Sequence, residues 1–200
     1  MPDPEHPWYE EAACTARLTQ GDIIEVCPVL AFAEEPAVET SRGLEGLRQG
    51  LDASAGVEPV RAILMTRASD LVHAHVRNVI LSPIYHVADY RTLWEEAERA
   101  RGQNPTSKSW EKHTKEIRDG KIWNLAMLRP HDVTGGQALN MPDQIVDFHG
   151  VFGVPLRFLA EWVRASGAPR LRLRPPHREH LSQSFARFFT RVGLPQEINL

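Results

Sequence analysis

The sequence has only two cysteines in 200 residues, Cys14 and Cys27, and they do not form a CxxC motif. So few cysteines exclude a disulfide scaffold and favour free thiols in a reducing compartment. The longest apolar stretch, residues 151–163, is interrupted by glycine, proline, arginine and glutamate, so it falls short of the ~20 apolar residues of a membrane-spanning helix. Residues 1–11 are acidic and rich in proline, the reverse of a secretion signal. We therefore expect a cytoplasmic location and no membrane passage.

Several motifs of common enzymes are also missing. The sequence has no GxSxG nucleophile motif, no GxxxxGK[ST] phosphate loop and no glycine pattern typical of nicotinamide or flavin binding. Neither cysteine has a histidine partner nearby in the sequence. These absences exclude the usual serine hydrolases, P-loop nucleotide hydrolases and dinucleotide-dependent oxidoreductases, and we expect no cofactor.

The residues that are present have the composition of an ordinary folded protein, with 42% hydrophobic and 24% charged residues. A chain of 200 residues suits a single domain, and we predict one domain over residues 1–200. Its net charge of −3 conceals a gradient, because residues 1–60 carry −9, residues 61–156 carry +1 and residues 157–200 carry +5. The basic end therefore needs a partner, either outside the chain or in its acidic first third.

Apolar runs and helical periodicity divide the chain into strands and helices. The runs predict strands at 21–32, 60–65, 76–84, 122–128, 144–154 and 170–174. Helical spacing predicts helices at 90–101, 109–118 and 156–165, and a last helix from 176. In this last helix an apolar stripe recurs at helical spacing, formed by Leu181, Phe185, Phe188, Phe189 and Val192.

These elements show no regular strand–helix alternation, which favours an α+β fold over a parallel doubly wound sheet. We predict a small, strongly bent β-barrel with inserted helices and a C-terminal amphipathic helix. The barrel core covers about residues 19–154 and contains a long mobile loop at 33–58, because that segment has few large apolar residues. Residues 155–200 are predicted to form a helical appendage.

The connector between two of the predicted strands holds the densest group of reactive side chains. Thr66, Arg67, Asp70, His73 and His75 lie within ten residues directly after a buried strand, where folded scaffolds often place working residues. Three interpretations remain open. The side chains are structural, or they perform acid–base chemistry or contact phosphate, or His73, His75 and Asp70 hold a metal ion.

The basic end of the chain forms a second candidate site. The predicted strand at 170–174 alternates arginine with leucine, and further arginines follow on the last helix. Guanidinium groups match phosphate oxygens and release counterions on binding, so this strip predicts a nucleic-acid contact formed by Arg170, Arg172, Arg174, Arg187 and Arg191. The alternative is that these arginines neutralise the acidic first third of the chain, in the same protomer or across a homodimer.

The segment Gln20–Ile24, followed after a long loop by the strand at 61–66 (RAILMT), resembles the opening of PemK/MazF-type toxins. In those proteins a Gly-Asp-Ile/Val strand enters a small Src-homology-3-like barrel, and a second strand ends in a hydroxyl residue before a functional loop. The resemblance implies the same fold here and carries over three positions, Gly21, Asp22 and Thr66.

A second resemblance is to uncharacterised bacterial proteins associated with defence or toxin neighbourhoods. They share the opening, a polar loop similar to 66–71 that often holds a cysteine before the aspartate, and an ending similar to 175–195. Ser69 stands in place of that cysteine, which argues against thiol chemistry at this loop. This resemblance implies no particular activity.

The toxin resemblance implies a nucleic-acid-binding module that acts as a metal-independent endoribonuclease in bacterial stress or phage defence. Such an enzyme deprotonates the 2′-hydroxyl, protonates the leaving oxygen and stabilises a charged phosphorane with a cation. From the residues themselves we predict Arg67 as the cation, Asp70 or His75 as acid or base, and Thr66 as the group that orients the phosphate. The predicted partner is RNA.

Two other functions remain open. In the first, the protein is a non-catalytic interaction module that docks a protein of its own operon, with the loop at 33–58 as the partner-binding segment. In the second, Asp70, His73 and His75 form a metal-dependent hydrolase, although we expect no metal.

Overall fold

The computed structural model describes residues 7–32, 55–73, 75–131 and 139–190, together with positions 43, 45, 46, 48 and 50. Most of the loop predicted at 33–58 lies outside the described residues, as do Arg191 and Val192. The end of that predicted loop is strand instead, because β3 already begins at Ala55. No helix in the described part of the chain has the length and apolar character needed to cross a membrane.

The main sheet has six strands and its pairs run antiparallel. Its strands are β2 (Ile23–Phe32), β3 (Ala55–Leu64), β4 (Asn78–His86), β5 (Leu125–Leu128), β6 (Gln144–Asp147) and β7 (Phe152–Pro155). They are ordered β2-β3-β4-β6-β5, with β7 paired to the first half of β4. Because β2 and β5 lie at opposite ends and do not pair, the described strands form no closed barrel. The α+β class is confirmed and a closed barrel is not formed.

A second sheet of two strands joins the beginning of the chain to its basic end. Strand β1 (Tyr9–Ala12) pairs antiparallel with β8 (Arg170–Leu173). A bridge between Asp22 and Arg172 connects this pair to the start of β2. At Gly21 the φ angle is 87° and an added Cβ would lie 3.0 Å from Leu173 Cβ, so only glycine fits this turn without strain.

Five helices occur in the described residues: α1 (Ala68–Val72), α2 (Val87–Ala100), α3 (Ser107–Arg118), α4 (Leu156–Ser166) and α5 (His177–Thr190). Four of them match the predicted helices to within a few residues. Helix α3 begins two residues earlier than predicted because Thr106 and Ser109 form a capping box. Helix α1 was not predicted, since five residues are too few to show a helical period.

The core consists of two main apolar clusters on opposite sides of the sheet. One contains Ile63, Phe148 and Leu181, and the other contains Leu81 and Leu159. Leu159 belongs to α4 and Leu181 to α5, and both are buried. Residues 155–190 therefore contribute side chains to both clusters.

The strand predicted at 144–154 is interrupted in the middle. Strand β6 ends at Asp147 and β7 begins at Phe152, while Phe148 turns into the core and is fully buried. Gly150 lies so close to Pro83 that an added Cβ would be 2.7 Å from the proline Cγ. This break exposes His149 beside the end of β6.

Candidate functional site

Thr66 follows β3, and its hydroxyl holds two strands together. Its Oγ1 accepts a hydrogen bond from the backbone N of Ile80 at 2.7 Å, and the residue is buried. Nearby, Gln20 donates to the Met65 carbonyl at 2.9 Å and to Ser182 Oγ at 2.7 Å. The Thr66 hydroxyl therefore accepts from the protein backbone, and its role in orienting a phosphate stays a prediction.

Arg67, Asp70 and His75 lie together on one turn of the surface. Arg67 precedes α1, Asp70 is within it, and the backbone N of His75 donates to the Asp70 carbonyl at 3.0 Å. The side chains of Arg67 and His75 are exposed and Asp70 is half-buried. The predicted catalytic residues other than Thr66 are thus neighbours, but they do not line the cleft described below.

The same turn brings His73 and His75 side by side, with ring centroids 5.3 Å apart. Across the described ranges, no group of three or more His, Cys, Asp or Glu side chains is arranged to hold a metal ion. The metal-hydrolase hypothesis therefore has no ligand set at Asp70, His73 and His75.

Arg170 and Arg172 are bound to the protein itself. The Asp22 carboxylate accepts from Arg170 Nε at 2.8 Å and from Arg172 Nε and Nη2, the last at 3.2 Å. The other two nitrogens of Arg170 donate to the carbonyls of Ala13, Ala16 and Arg17. Arg170 is only 3% exposed, so its predicted contact with nucleic acid is wrong, and the alternative of internal neutralisation describes both arginines.

The remaining arginines of the basic strip differ in their exposure. Arg174 and Arg187 are exposed, whereas Arg191 lies outside the described residues. Arg178, at the start of α5, pairs with Glu179 at 2.7 Å. The open positive charge at this end of the chain is therefore smaller than the sequence suggests.

Another group of reactive side chains lies in a half-open cleft of about 510 Å³ between α2, α3 and the ends of β4 and β6. Helix α2 covers this cleft loosely, since none of its residues is buried. Aromatic rings form much of the wall. The residues that matter for its chemistry are Tyr85, Tyr90, Trp94, His113, Asp147 and His149.

The aromatic wall is held by ring stacking between α2 and α3. His113 stacks on Trp94 with centroids 5.1 Å apart and lies parallel to Tyr90 at 6.1 Å. Trp110 packs against Trp94 at 5.3 Å. These contacts set the positions of Tyr90 and Trp94 before any ligand arrives, which lowers the entropy that binding must overcome.

His149 stands at the edge of the cleft with two oriented neighbours. Its Nδ1 lies 3.0 Å from the Asn124 side-chain amide and 3.7 Å from Asp147 Oδ1. The Asp147 carboxylate also accepts from the His149 backbone N at 2.9 Å. The imidazole side chain is 55% exposed. The Asn124 amide donates to Nδ1 and the Asp147 carboxylate accepts from the backbone of His149, so the imidazole is oriented, and proton transfer requires such positioning.

The negative charge of Asp147 affects two tyrosines of the cleft. Burial raises the pKa of Tyr85, and the Asp147 carboxylate raises it further. The same two causes raise the pKa of Tyr90 to about 12. Both phenols are therefore neutral near pH 7, and both can donate a hydrogen bond.

Arg101 and Glu98 are two further charged residues of the cleft. Arg101 pairs with Glu98 at 3.0 Å and its side chain is 72% exposed, so the guanidinium can still approach an anion. Burial lowers the pKa of His113, and its Nε2 is buried without a hydrogen-bond partner. The rim thus combines a positioned histidine, a carboxylate and a guanidinium.

Sequence reasoning missed this cleft. Asp147 and His149 are two residues apart and were placed on one face of a continuous strand, so they received no joint role. The available signal was the aromatic spacing: Tyr90 and Trp94 are four residues apart, and Trp110 and His113 are three residues apart. Residues at these spacings share a helix face, and two aromatic helix faces in succession predict a ring-lined contact.

Comparison of the chain with protein-family models, with curated proteins and with solved structures found no match.

Proposed function

We propose that the protein binds single-stranded RNA and cleaves it without a metal ion, with the cleft as its site. The observation that carries this proposal is His149, held by Asn124 and Asp147 at the edge of an aromatic cavity. A sequence-tolerant platform for unpaired bases is built from aromatic side chains, because every base has a π face. The Src-homology-3-like barrel implied by the toxin resemblance belongs to the same proposal.

The size of the cleft fits one nucleotide. A volume of about 510 Å³ lies within the range of ~300–1,000 Å³ typical of small-molecule sites. Tyr90 and Trp94 offer ring surface for a base, while His149 and Arg101 lie at the rim where the ribose and phosphate of the same strand would run. Exposed Arg187 follows Ala186 and precedes Phe188, whose ring lies 5.2 Å from the ring of His149, so it adds positive charge on that side of the cleft.

The chemistry needs one proton to move from the 2′-oxygen to the 5′-oxygen. The Asn124 amide nitrogen faces Nδ1, so His149 acts as a base at Nε2 once this amide turns its oxygen toward a protonated Nδ1. Nε2 then takes the 2′-hydroxyl proton while the 2′-oxygen attacks phosphorus. The Asp147 carboxylate stabilises the imidazolium, and Arg101 stabilises the phosphorane charge. As the bond to the 5′-oxygen breaks, His149 returns the proton to it, which leaves a 2′,3′-cyclic phosphate and a free 5′-hydroxyl.

The roles of cation, carboxylate and histidine are the ones predicted for Arg67, Asp70 and His75. The cleft supplies the same three residue types in an enclosed setting, which the surface turn at α1 does not. Arg67 and His75 remain a second candidate for the proton transfer, and the experiment must separate the two sites.

The test incubates the full chain with single-stranded RNA in the presence of EDTA and follows cleavage on a denaturing gel. The cleft site predicts that His149→Ala lowers the cleavage rate by at least about 100-fold, the usual contribution of an acid–base group. Arg67→Ala and His75→Ala serve as matched controls and should stay close to wild type.

The reverse pattern would move the reaction to the turn at α1 and refute the cleft site. Intact RNA at high concentrations of the wild-type protein would overturn the catalytic part of the proposal. If RNA is also not retained at physiological salt, while a stable complex with an operon protein forms, the protein is the interaction module predicted as the alternative.

A further inference from the structure

We propose that the cleft selects guanine among the four RNA bases, with the Asp147 carboxylate reading its N1–H and N2–H donors. This inference rests on the proposed function, because it names the base that the same cleft accepts. It concerns recognition of the base, whereas the proposed function concerns the proton transfer at His149.

Asp147 is the carboxylate of the cleft that has no arginine or lysine partner. Of the two acidic residues that line it, Glu98 is paired with Arg101 at 3.0 Å. Among the described ion pairs, Asp147 takes part only in the one with His149, in which Oδ1 lies 3.7 Å from Nδ1. A half-buried carboxylate without a cationic partner attracts hydrogen-bond donors and repels phosphate, so it selects the base and not the backbone of the ligand.

The two carboxylate oxygens of Asp147 can accept hydrogen bonds from two different groups. Oδ1 accepts from the His149 backbone N, which fixes the orientation of the carboxylate. A carboxylate has about four acceptor positions, so this bond leaves room for further donors. After burial, the negative charge of Asp147 is a cause of the raised pKa values of Tyr85 and Tyr90. The carboxylate therefore lies near the rings on which a base would stack.

The donor pattern of the bases then decides the choice. Guanine presents two adjacent N–H groups on its pairing edge and binds a carboxylate through both. Adenine and cytosine present one amino group beside an acceptor nitrogen, and uracil presents one N–H between two carbonyls, so each of these places an acceptor against the negative charge. A good bidentate contact discriminates by ~5- to 150-fold.

The test measures binding of 5′-mononucleotides to the wild-type chain by calorimetry, because mononucleotides cannot be cleaved and report binding alone. GMP should bind at least about fivefold more tightly than AMP, CMP and UMP. IMP, which keeps N1–H but lacks the N2 amino group, should bind more weakly than GMP. Asp147→Asn should reduce the GMP preference to less than about twofold, since the new amide opposes the guanine donors.

Asp119→Asn is the matched control, because Asp119 lies outside the cleft and pairs with Lys121 at the end of α3. It should leave the GMP to AMP ratio unchanged. Equal affinities for all four nucleotides, or a GMP preference that survives Asp147→Asn, would overturn this inference while leaving RNA binding intact. Failure of every nucleotide to bind, together with no retention or cleavage of RNA, would instead overturn the proposed function.

Discussion

Replacing Asp22 by asparagine should destabilise the protein strongly, because one carboxylate neutralises two arginines in the interior. Asp22 is 0% exposed and Arg170 is 3% exposed. The carboxylate accepts from Arg170, from Arg172 and from the backbone N of Thr19 at 3.1 Å. Removing its charge leaves a buried guanidinium without a counter-ion, and the new Nδ2 donor faces donors.

The size of the effect follows from burial. Breaking a buried ion pair by removing one partner costs about 3–5 kcal/mol, whereas an exposed pair contributes about 0–1 kcal/mol. Arg172 keeps a longer contact with Glu10 at 3.6 Å, and its side chain is 17% exposed, so water compensates part of its loss. We therefore expect about 3–4 kcal/mol for Asp22→Asn, with Arg170 responsible for most of it.

The assays are urea unfolding and thermal unfolding of the full chain, each followed by circular dichroism and fluorescence. A change of 1 kcal/mol moves the melting temperature of a chain of this size by about 2–4 °C, so Asp22→Asn should lower it by roughly 6–16 °C. Glu25→Gln is the matched control, because Glu25 pairs with Arg61 and its side chain is 47% exposed. Replacing Arg170 by methionine in the Asp22→Asn background should recover stability, since the uncompensated charge is then gone. A midpoint for Asp22→Asn equal to that of Glu25→Gln would refute the reasoning.

Three further substitutions test the structure at other points. Thr66→Val should lower the free energy of unfolding by about 1–2 kcal/mol, because Ile80 N loses its acceptor; a urea midpoint unchanged from wild type would show that this hydrogen bond is unimportant. Phe148→Ala should cost about 3–5 kcal/mol in the same assay, since it empties the centre of the core at the β6–β7 break; a loss below 1 kcal/mol would contradict that placement. Burial lowers the pKa of His113, so the unfolded chain binds this proton more readily and stability falls as the pH drops below about 6.5. His113→Phe should make stability less dependent on pH between about 7.5 and 5.5, and an unchanged dependence would remove His113 from this role.

The sequence predicts most elements of the fold because their patterns are local. The apolar runs of β2 and β4 and the stripe of α5 are visible without knowledge of their partners. Strand β1 was not predicted, since Tyr9–Ala12 contains two glutamates and becomes a strand only through pairing with β8. The predicted bent barrel is unconfirmed for a related reason: strand patterns do not reveal which edges meet, and here β8 pairs with β1.

The basic strip shows a second limit of sequence reasoning. Alternation placed Arg170 and Arg172 on one side of a strand, and that side was taken to be open. Their partner, Asp22, is about 150 residues away in the chain, and no local pattern connects the two positions. The cleft was missed for the same reason, because its walls come from α2, α3 and β6, which contact one another only in the folded protein.

The segment that carries the toxin resemblance has a structural role of its own in this protein. Gly21 allows the close approach of Leu173, and Asp22 neutralises the two arginines of β8. Together they attach the basic end of the chain to the start of the main sheet, so the acidic first third and the basic end partly neutralise each other inside one protomer. A Gly-Asp opening can therefore reflect how a fold of this kind is closed and need not mark a reaction centre. The function must instead be argued from side chains that remain open to a ligand, such as His149, Asp147 and the rings beside them.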